Sequence, residues 1–372
     1  MKSLDEWIGR PPSGDVLFSA LKRAADVIRT AVDYRVLLVF LFYKAVSDKW
    51  DAIVKENREG LSEEQAYKVA NRRYIKLYDE EKGALLTWDE AVKHGNPAEK
   101  IEEYLRRIAV INSSEGQGFE MGEFSDLLNQ LGISALSRNQ DLRPIVTELI
   151  EIFNGLDLTR VDYDVLGDGY QWILANFAPT KAKEGETYTP REVIRLMVRL
   201  MDPEDGSKVV DPACGSAAML IEAYRHVKEK IRDRPSLLLY GQERNPAMAA
   251  IAKMNVMLHN VESDIKIYNG DSLINPRFLQ ENDPMDYSIA NPPWNQDGYD
   301  ESKLSKAGLK AIYKYGYTPG NSADWAWAQL LIHSAKKKAV MVIDQGMLFR
   351  GGKEGEIRTK VLKDDLVEAV IA

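Results

Sequence analysis

Residues 208–220 read KVVDPACGSAAML, a pattern that indicates a strand, a loop and a helix in succession. A short apolar run ends at Asp211-Pro212, a loop of small residues follows, and a helical pattern begins after the loop. Small residues let the backbone approach a ligand closely, and the first turn of a helix offers free N–H groups. The arrangement is typical of a nucleotide-type site at the carboxyl end of a first strand, although it is neither GxGxxG nor a Walker loop. An ordinary strand–turn–helix could have the same sequence, so the neighbouring segments must show whether a nucleotide-type site is present.

The residues around this stretch alternate between strand and helix signals. Apolar runs predict five strands, Lys208–Asp211, Leu237–Tyr240, Ile265–Tyr268, Tyr287–Ala290 and Ala339–Ile343. Amphipathic patterns predict helices over Pro190–Met201, Ala217–Lys230 and Pro246–Asn260. Short strands that alternate with helices indicate an α/β fold with a Rossmann-like, doubly wound and mostly parallel sheet.

The first 160 residues follow a different pattern. Apolar residues recur at helical spacing from Asp15 to Val32, and similar patterns continue over Glu63–Tyr78 and Pro97–Ile111. No alternating strand pattern stands out in this region. We therefore expect two domains, an all-helical N-terminal domain at 1–160 and a sheet domain at 161–372.

Two acidic residues follow the next predicted strands of the sheet. Glu243 comes at the end of the second strand, where an acid in nucleotide-binding sheets accepts hydrogen bonds from ribose hydroxyls. Asp271 follows the third strand in Gly-Asp-Ser and can accept a hydrogen bond from an adenine amino group. A solvated acid or an ordinary turn would look the same, so neither residue is decisive alone.

The sharpest signal is Asn291-Pro292-Pro293-Trp294, which follows the fourth predicted strand. The two prolines fix the backbone, so that the Asn291 side-chain oxygen and the Pro292 carbonyl can point at one spot. Two such acceptors suit an exocyclic amino group, because they hold its two hydrogens and leave the nitrogen lone pair directed at an electrophile. The adjacent Trp294 ring can stack on a base that has been taken out of its duplex.

Composition and charge exclude several other classes of protein. Cys214 is the sole cysteine, which rules out a disulfide scaffold, and we expect it to be a packing residue rather than a nucleophile. The four histidines are not spaced for metal ligation, so no metal site is expected. The net charge of −8 disfavours a stand-alone, sequence-independent nucleic-acid binder but leaves DNA open as a substrate.

Membrane insertion and secretion are not expected either. The N-terminus lacks the apolar segment of a secretion signal. The longest apolar run is Val36–Phe42, whereas a membrane-spanning helix needs roughly 20 residues. A cytoplasmic location is therefore expected.

Taken in order, the small-residue loop, the two acids and the NPPW motif resemble S-adenosylmethionine-dependent N6-adenine DNA methyltransferases. More narrowly, the chain resembles the modification subunit of type I restriction–modification systems. The segments that carry this narrower resemblance are Gly167-Asp168 with Tyr170, Tyr188–Val193, Gly241–Glu243, Gly346–Gly352, Glu356–Arg358 and Leu366–Ala372. The helical N-terminal region also fits the leading domain of that family, so the resemblance covers essentially the whole chain.

The resemblance implies a role for each matching residue. The target adenine would be held by Asn291, Pro292, Pro293 and Trp294. The cofactor, S-adenosyl-L-methionine, would be bound by Glu186, Thr187, Tyr188, Thr189, Pro190, Arg191, Asp211, Gly215, Ser216, Ala217, Ala218, Glu243 and Asp271. No metal and no general base are needed, because a sulfonium methyl is already a strong electrophile and the enzyme has only to position the amino nitrogen.

The resemblance also implies partners and marks three departures from the family pattern. Double-stranded DNA, a DNA-specificity subunit and a second methyltransferase subunit are the implied partners, and a restriction subunit stays open. Ala218 stands where the family more often has glycine, and Asp344 puts an acid near the wall of the pocket. The sequence stops at Leu366–Ala372 in what should be a strand, so the methyltransferase domain is expected to be incomplete at its C-terminal end.

Two alternative functions remain open from the residues. One is a stand-alone methyltransferase that acts on a protein glutamine or an RNA adenine, since NPP-aromatic motifs also serve those amino groups. The other is a non-catalytic assembly subunit that has lost cofactor binding.

Overall fold

The computed structural model describes residues 12–29, 31–113, 121–181, 189–261, 264–280, 285–306 and 308–371. The chain divides into two compact units. The first comprises Met1–Phe177 with Lys253–Asn260, and the second comprises Ala178–Ala252 with Val261–Ala372.

The first unit is built from helices. They are α1 (Pro12–Ile28), α2 (Arg35–Glu56), α3 (Glu63–Arg73), α4 (Trp88–Val92), α5 (Pro97–Ile111), α6 (Met121–Leu131), α7 (Ile133–Arg138), α8 (Arg143–Asn154) and α9 (Tyr163–Lys181). The start of α2, Val36–Tyr43, is completely buried, and Phe40 packs edge-to-face on Trp88 and Phe153. The long apolar run of the sequence therefore forms the core of this unit.

A small hairpin adds to the helices that the sequence predicts. Strands β1 (Tyr78–Asp79) and β2 (Ala84–Leu85) pair antiparallel, and Gly83 takes a left-handed φ of 62° in the turn. Two residues per strand are too few to give an alternating pattern, which is why the sequence does not reveal them.

The first unit extends beyond residue 160, where the sequence analysis placed the domain boundary. A Cβ atom added at Gly169 of α9 would lie 3.1 Å from Leu21 of α1, so these two helices pack closely. A Cβ atom at Gly167 would lie 2.2 Å from the buried His259 ring, which explains why Lys253–Asn260 belongs to this unit. Because Gly167 and Gly169 lack a side chain, the His259 ring and the Leu21 side chain can pack against the backbone of α9.

The second unit contains a five-stranded parallel sheet. Its strands are β3 (Lys208–Asp211), β4 (Leu238–Glu243), β5 (Ile265–Asn269), β6 (Met285–Ala290) and β7 (Ala335–Met341), in the order β5-β4-β3-β6-β7. All five predicted strands are present, which confirms the doubly wound α/β fold. Strand β7 begins four residues before its predicted start, because three consecutive lysines, of which Lys336 and Lys337 are exposed, hide the apolar pattern of this edge strand.

Eight helices accompany the sheet in the described part of the second unit. They are α10 (Arg191–Met201), α11 (Ala218–Ile231), α12 (Pro246–Leu258), α13 (Arg277–Gln280), α14 (Glu301–Leu304), α15 (Asp324–Ser334), α16 (Gln345–Phe349) and α17 (Gly352–Lys363), and the last turns of α12 fall in the first unit. Strand order reverses at β3, because β4 follows on one side and β6 lies on the other. Ligands of open α/β sheets bind outside the carboxyl ends of the strands at such a switch point.

The C-terminal segment does not form the strand that the resemblance implies. Leu366–Ile371 lies outside the sheet, and the side chains of Val370 and Ile371 are 57% and 64% exposed. A strand is stabilised by hydrogen bonds to a neighbouring strand, and no described strand pairs with this segment.

Among the described helices, none has both the length and the apolar character needed to cross a bilayer.

Candidate functional site

The loop between β3 and α11 turns sharply beside the switch point. Asp211 ends β3 and is only 2% exposed, and its Oδ1 accepts a hydrogen bond from the Ala213 N–H at 3.0 Å. Gly215 and Ala217 have left-handed φ angles of 50° and 64°, after which α11 begins at Ala218. Ala217 is therefore the residue of this loop that holds a side chain in the left-handed conformation. The residue that departs from the family pattern, Ala218, comes one position later and begins the helix.

Cys214 has a packing role in this loop. It is buried, its N–H donates to the Gln242 carbonyl at 3.1 Å, and a Cβ atom added at Gly241 would lie 2.8 Å from its Sγ. Gly241 thus lets the loop lie against β4.

Burial raises the pKa of the Asp211 carboxyl to about 8. The hydrogen bond from Ala213 opposes this effect, and the nearby Glu243 carboxylate adds to it. The carboxyl is therefore largely protonated at neutral pH in the chain without ligand. A cationic ligand placed beside Asp211 would stabilise the ionised form.

Glu243 joins the end of β4 to the small-residue loop. Its Oε2 accepts a hydrogen bond from the Gly215 N–H at 3.0 Å, and its Oε1 accepts one from the Asn245 N–H at 2.7 Å. Each carboxylate oxygen has further acceptor capacity. Glu243 is thus fixed in position between the end of β4 and the small-residue loop.

Asp271 is held in a chain of polar contacts after β5. The Tyr299 hydroxyl donates to its Oδ2 at 2.5 Å, and the Leu273 N–H donates to its Oδ1 at 3.1 Å. The Arg244 guanidinium donates in turn to the Tyr299 oxygen at 3.0 Å. Burial and the bond to Asp271 raise the pKa of Tyr299, so its hydroxyl stays protonated and acts as a donor. Arg244 and Tyr299 could not be predicted as members of this site, because they lie far from Asp271 along the chain.

The NPPW motif follows β6 directly at the switch point. The Asn291 side-chain amide donates to the Thr189 hydroxyl at 2.9 Å. The Asn291 Oδ1 is buried, and none of the described residues donates a hydrogen bond to it. Trp294 is 45% exposed. A buried acceptor without a donor is costly, so this atom is suited to a ligand that brings its own N–H.

The remaining predicted site residues lie close to these elements in sequence. Pro190 immediately precedes α10, and Arg191 is its first residue. Ser216 belongs to the loop before α11. Glu186, Thr187 and Tyr188 lie outside the described residues.

Asp344 has a structural task that the sequence analysis did not foresee. Its Oδ2 accepts a hydrogen bond from the Gly346 N–H at 3.0 Å and so caps α16. The same oxygen contacts the Arg350 guanidinium at 3.2 Å. This acid is therefore tied into the second unit by a helix cap and an ion pair.

Comparison with known proteins identifies the family. A family model described as N-6 DNA Methylase matches residues 161–372, which is more than half of the chain. The chain belongs to the N-6 DNA methylase family. Methyltransferases of this family use S-adenosylmethionine as the methyl donor.

Individual relatives agree with this assignment. The type I restriction enzyme MjaVII and MjaVIII methylase subunits of Methanocaldococcus jannaschii are 48% and 45% identical to the chain. These alignments cover 97% and 96% of this chain but 62% of each relative, so the chain spans less than two thirds of their length. The crystal structure of the type I restriction-modification methyltransferase subunit from Streptococcus thermophilus matches with a TM-score of 0.73 at 26% identity, over 94% of this chain and 79% of that one.

The residues at the switch point fit the N-6 DNA methylase cofactor. S-adenosylmethionine carries positive charge on its sulfonium and its ammonium group, and Asp211 is a buried carboxyl that a cation would ionise. The ribose of S-adenosylmethionine carries two hydroxyl donors, and the Glu243 carboxylate lies at the end of the adjacent strand β4. The donor groups of the cofactor thus match the acceptors that the sheet presents.

Proposed function

We propose that this chain transfers the methyl group of S-adenosylmethionine to the N6 atom of an adenine flipped out of double-stranded DNA, as the modification subunit of a type I restriction–modification complex. The observation that carries the proposal is the buried Asn291 Oδ1, which lacks a donor within the described chain and follows β6 at the switch point. The exposed Trp294 three residues later supplies a surface for stacking the base.

In this proposal, the target amino group is oriented by two acceptors. The Asn291 Oδ1 and the Pro292 carbonyl accept the two amino hydrogens, which leaves the nitrogen lone pair free to attack. Both acceptors also stabilise the positive charge that develops on the nitrogen as it is alkylated. The extra proton leaves to solvent afterwards. Bound S-adenosylmethionine supplies an electrophilic methyl group, and the remaining work of the chain is alignment.

The cofactor would be held by three groups of residues. Asp211 and the turn Gly215–Ala218 would hold its methionine end, where the backbone of the turn allows close approach. Glu243 would accept hydrogen bonds from the ribose, and Asp271 would accept one from the adenine amino group. Thr189, Pro190 and Arg191, together with Glu186–Tyr188, would border the methionine part.

Sequence recognition would belong to partner subunits. The net charge of −8 makes this chain a poor DNA binder by itself, because phosphate contacts dominate affinity for DNA. We therefore propose that a DNA-specificity subunit and a second methyltransferase subunit complete the assembly. Residues 1–160 would contribute contacts to partners or DNA, and a restriction subunit would join when cleavage is required.

The proposal is tested by methyl transfer from labelled S-adenosylmethionine, with the chain reconstituted with its specificity partner. Asn291→Ala should abolish transfer to DNA while calorimetry shows that cofactor binding is retained. Asp211→Ala should lose cofactor binding itself. Methylation of RNA or of glutamine peptides, but not of DNA, would replace the proposed substrate. If the unmutated chain bound no cofactor, a non-catalytic assembly role would be favoured instead.

A further inference from the structure

The loop that follows Trp294 is fastened to the rest of the second unit by Arg350. The Arg350 guanidinium donates to the Asn295 Oδ1 at 2.8 Å. The Asn295 backbone N–H donates to the Asp324 Oδ1 at 2.8 Å, and Arg350 also forms an ion pair with Asp324. Asn295, Asp324 and Arg350 therefore form a closed triangle of contacts, which we call the Asn295 clamp.

The residues on either side of Trp294 are held, whereas Trp294 itself is exposed. Asn291 is bound to Thr189 on the upstream side. Downstream, Asn295 sits in the clamp, and the Gln296 side chain accepts a hydrogen bond from the Trp327 indole at 3.2 Å. Asn295 also has a left-handed φ of 51°, a conformation that asparagine adopts more readily than most residues with a side chain. The clamp thus holds this backbone turn directly after Trp294.

Arg350 is the cation at the centre of this region. Besides Asp324, its guanidinium pairs with Glu354 at 2.5 Å and with Asp344 at 3.2 Å. Asp324 and Glu354 are 3% and 2% exposed, so the Arg350 guanidinium is needed to stabilise their buried negative charges. A guanidinium can serve several acceptors in fixed directions, which the ammonium of a lysine cannot do.

We propose that Arg350 is a positioning residue for the target base, which acts through Asn295 to fix Trp294 in its stacking geometry. The inference rests on the proposed function, because it assigns Trp294 to the flipped adenine. A stacking ring that is free to turn would hold the base out of line with the methyl donor. Misplacement by about 1 Å can cost on the order of a hundredfold in rate, so the clamp has a measurable consequence.

Two substitutions at Asn295 separate positioning from folding. Asn295→Gly removes the acceptor for Arg350, tolerates the left-handed φ, and leaves the ion pairs of Arg350 untouched. Asn295→Asp keeps an acceptor and should rescue the contact, since a carboxylate accepts from a guanidinium. The matched control is Arg107→Lys in the first unit, where Arg107 pairs at 2.6 Å with the buried Asp79.

The first readout is kinetic, in the assembly with the specificity partner. We expect Asn295→Gly to lower kcat about tenfold or more, with cofactor affinity and Tm unchanged, and Asn295→Asp to stay close to the parent. Arg350→Lys should lower both kcat and Tm, whereas Arg107→Lys should lower Tm alone. Parental kcat in Asn295→Gly, or an equal loss in Asn295→Asp, would overturn the proposal.

The second readout uses the chain alone and does not depend on methylation. Hydrogen exchange at the amides of Trp294, Asn295 and Gln296 should be faster in Asn295→Gly than in the parent or in Asn295→Asp. Unchanged exchange would refute the clamp even if the assembly is active. If the parent assembly methylated no DNA while exchange changed as expected, the proposed function would fail and the clamp would stand.

Discussion

The Asn291 side-chain amide donates a hydrogen bond to the Thr189 hydroxyl over 2.9 Å, across 102 residues of sequence. This contact joins the segment before α10 to the end of β6. In this arrangement the amide nitrogen is engaged by Thr189, and the buried Oδ1 is left as the acceptor. Thr189 thus orients the group that is proposed to bind the target amino group.

Replacing Thr189 with Val should reduce kcat for methyl transfer by about tenfold, since an unanchored amide can rotate and present its N–H₂ to the substrate. Thr189→Ser keeps the hydroxyl and should behave as the parent. Steady-state kinetics of the reconstituted assembly measures both variants, with calorimetric titration of S-adenosylmethionine alongside. Because Thr189 is also assigned to the cofactor site, a loss of cofactor affinity as large as the loss of kcat would argue against the orienting role.

The buried carboxyl of Asp211 predicts that the ligand-free chain becomes less stable as the pH rises. Its pKa is about 8 in the folded chain, against 3.8 as the ordinary value. Between these values the folded state keeps a proton that the unfolded state has lost, so raising the pH favours unfolding. The contribution of this group is at most about 1.4 kcal/mol per pH unit.

Asp211→Asn removes this titration and imitates the protonated acid. We expect denaturant unfolding to show that the variant gains stability over the parent as the pH rises, so that the difference in free energy of unfolding is larger at pH 8 than at pH 5. A gap that is the same at both pH values would show that Asp211 is ionised throughout. Cofactor binding should be weaker in the variant, because no negative charge remains for the cationic groups.

Substitution by glycine should have opposite effects on stability at the adjacent positions Ala217 and Ala218. Ala217 has a φ of 64°, which costs an L-residue with a side chain roughly 1–2 kcal/mol. Ala217→Gly relieves that strain but makes the unfolded chain more flexible, so we expect a net gain of up to about 1 kcal/mol. Ala218→Gly should lose about 0.5–1 kcal/mol, since Ala218 begins α11 with an ordinary helical backbone. Urea unfolding of both variants distinguishes the two signs, and destabilisation by Ala217→Gly would contradict the argument.

The pattern of the sequence was sufficient for the sheet and for the polar residues at its edge. Strand β3 begins and ends as predicted, and Asp211, Glu243 and Asn291 each come at or directly after the end of a strand, where side chains of a parallel sheet meet. These residues are recognisable because each lies next to an apolar run. Their local context is therefore enough to find them.

Contacts between distant segments could not be predicted in the same way. Arg350 reaches Asn295 across 55 residues, and nothing in the local sequence of either residue indicates the other. The strain at Ala217 is likewise invisible, because the letters do not state which residue of a small-residue loop takes the left-handed conformation. Such features depend on how loops are fixed by the folded unit.

The polar chain at Asp271 yields the last prediction, on the cofactor site. The Tyr299 hydroxyl donates to Asp271 at 2.5 Å, so Tyr299→Phe leaves the acid without this donor and Arg244 without its acceptor. Loss of a hydrogen bond to a buried or half-buried polar group costs about 1–3 kcal/mol, and we expect a corresponding fall in stability. If Asp271 binds the cofactor adenine, its changed position should also weaken S-adenosylmethionine binding.

Tyr313→Phe provides the matched control. The buried Tyr313 hydroxyl donates to the Leu273 carbonyl, two residues from Asp271, and its removal leaves the Tyr299–Asp271 contact in place. Both variants should lower Tm to a similar extent, whereas only Tyr299→Phe should lower cofactor affinity in calorimetric titration. Cofactor affinity that stays at the parental value in both variants would mean that the Tyr299 contact stabilises the fold without orienting Asp271 toward the cofactor. Equal losses of affinity would mean that general loosening of this loop, rather than the position of the carboxylate, controls binding.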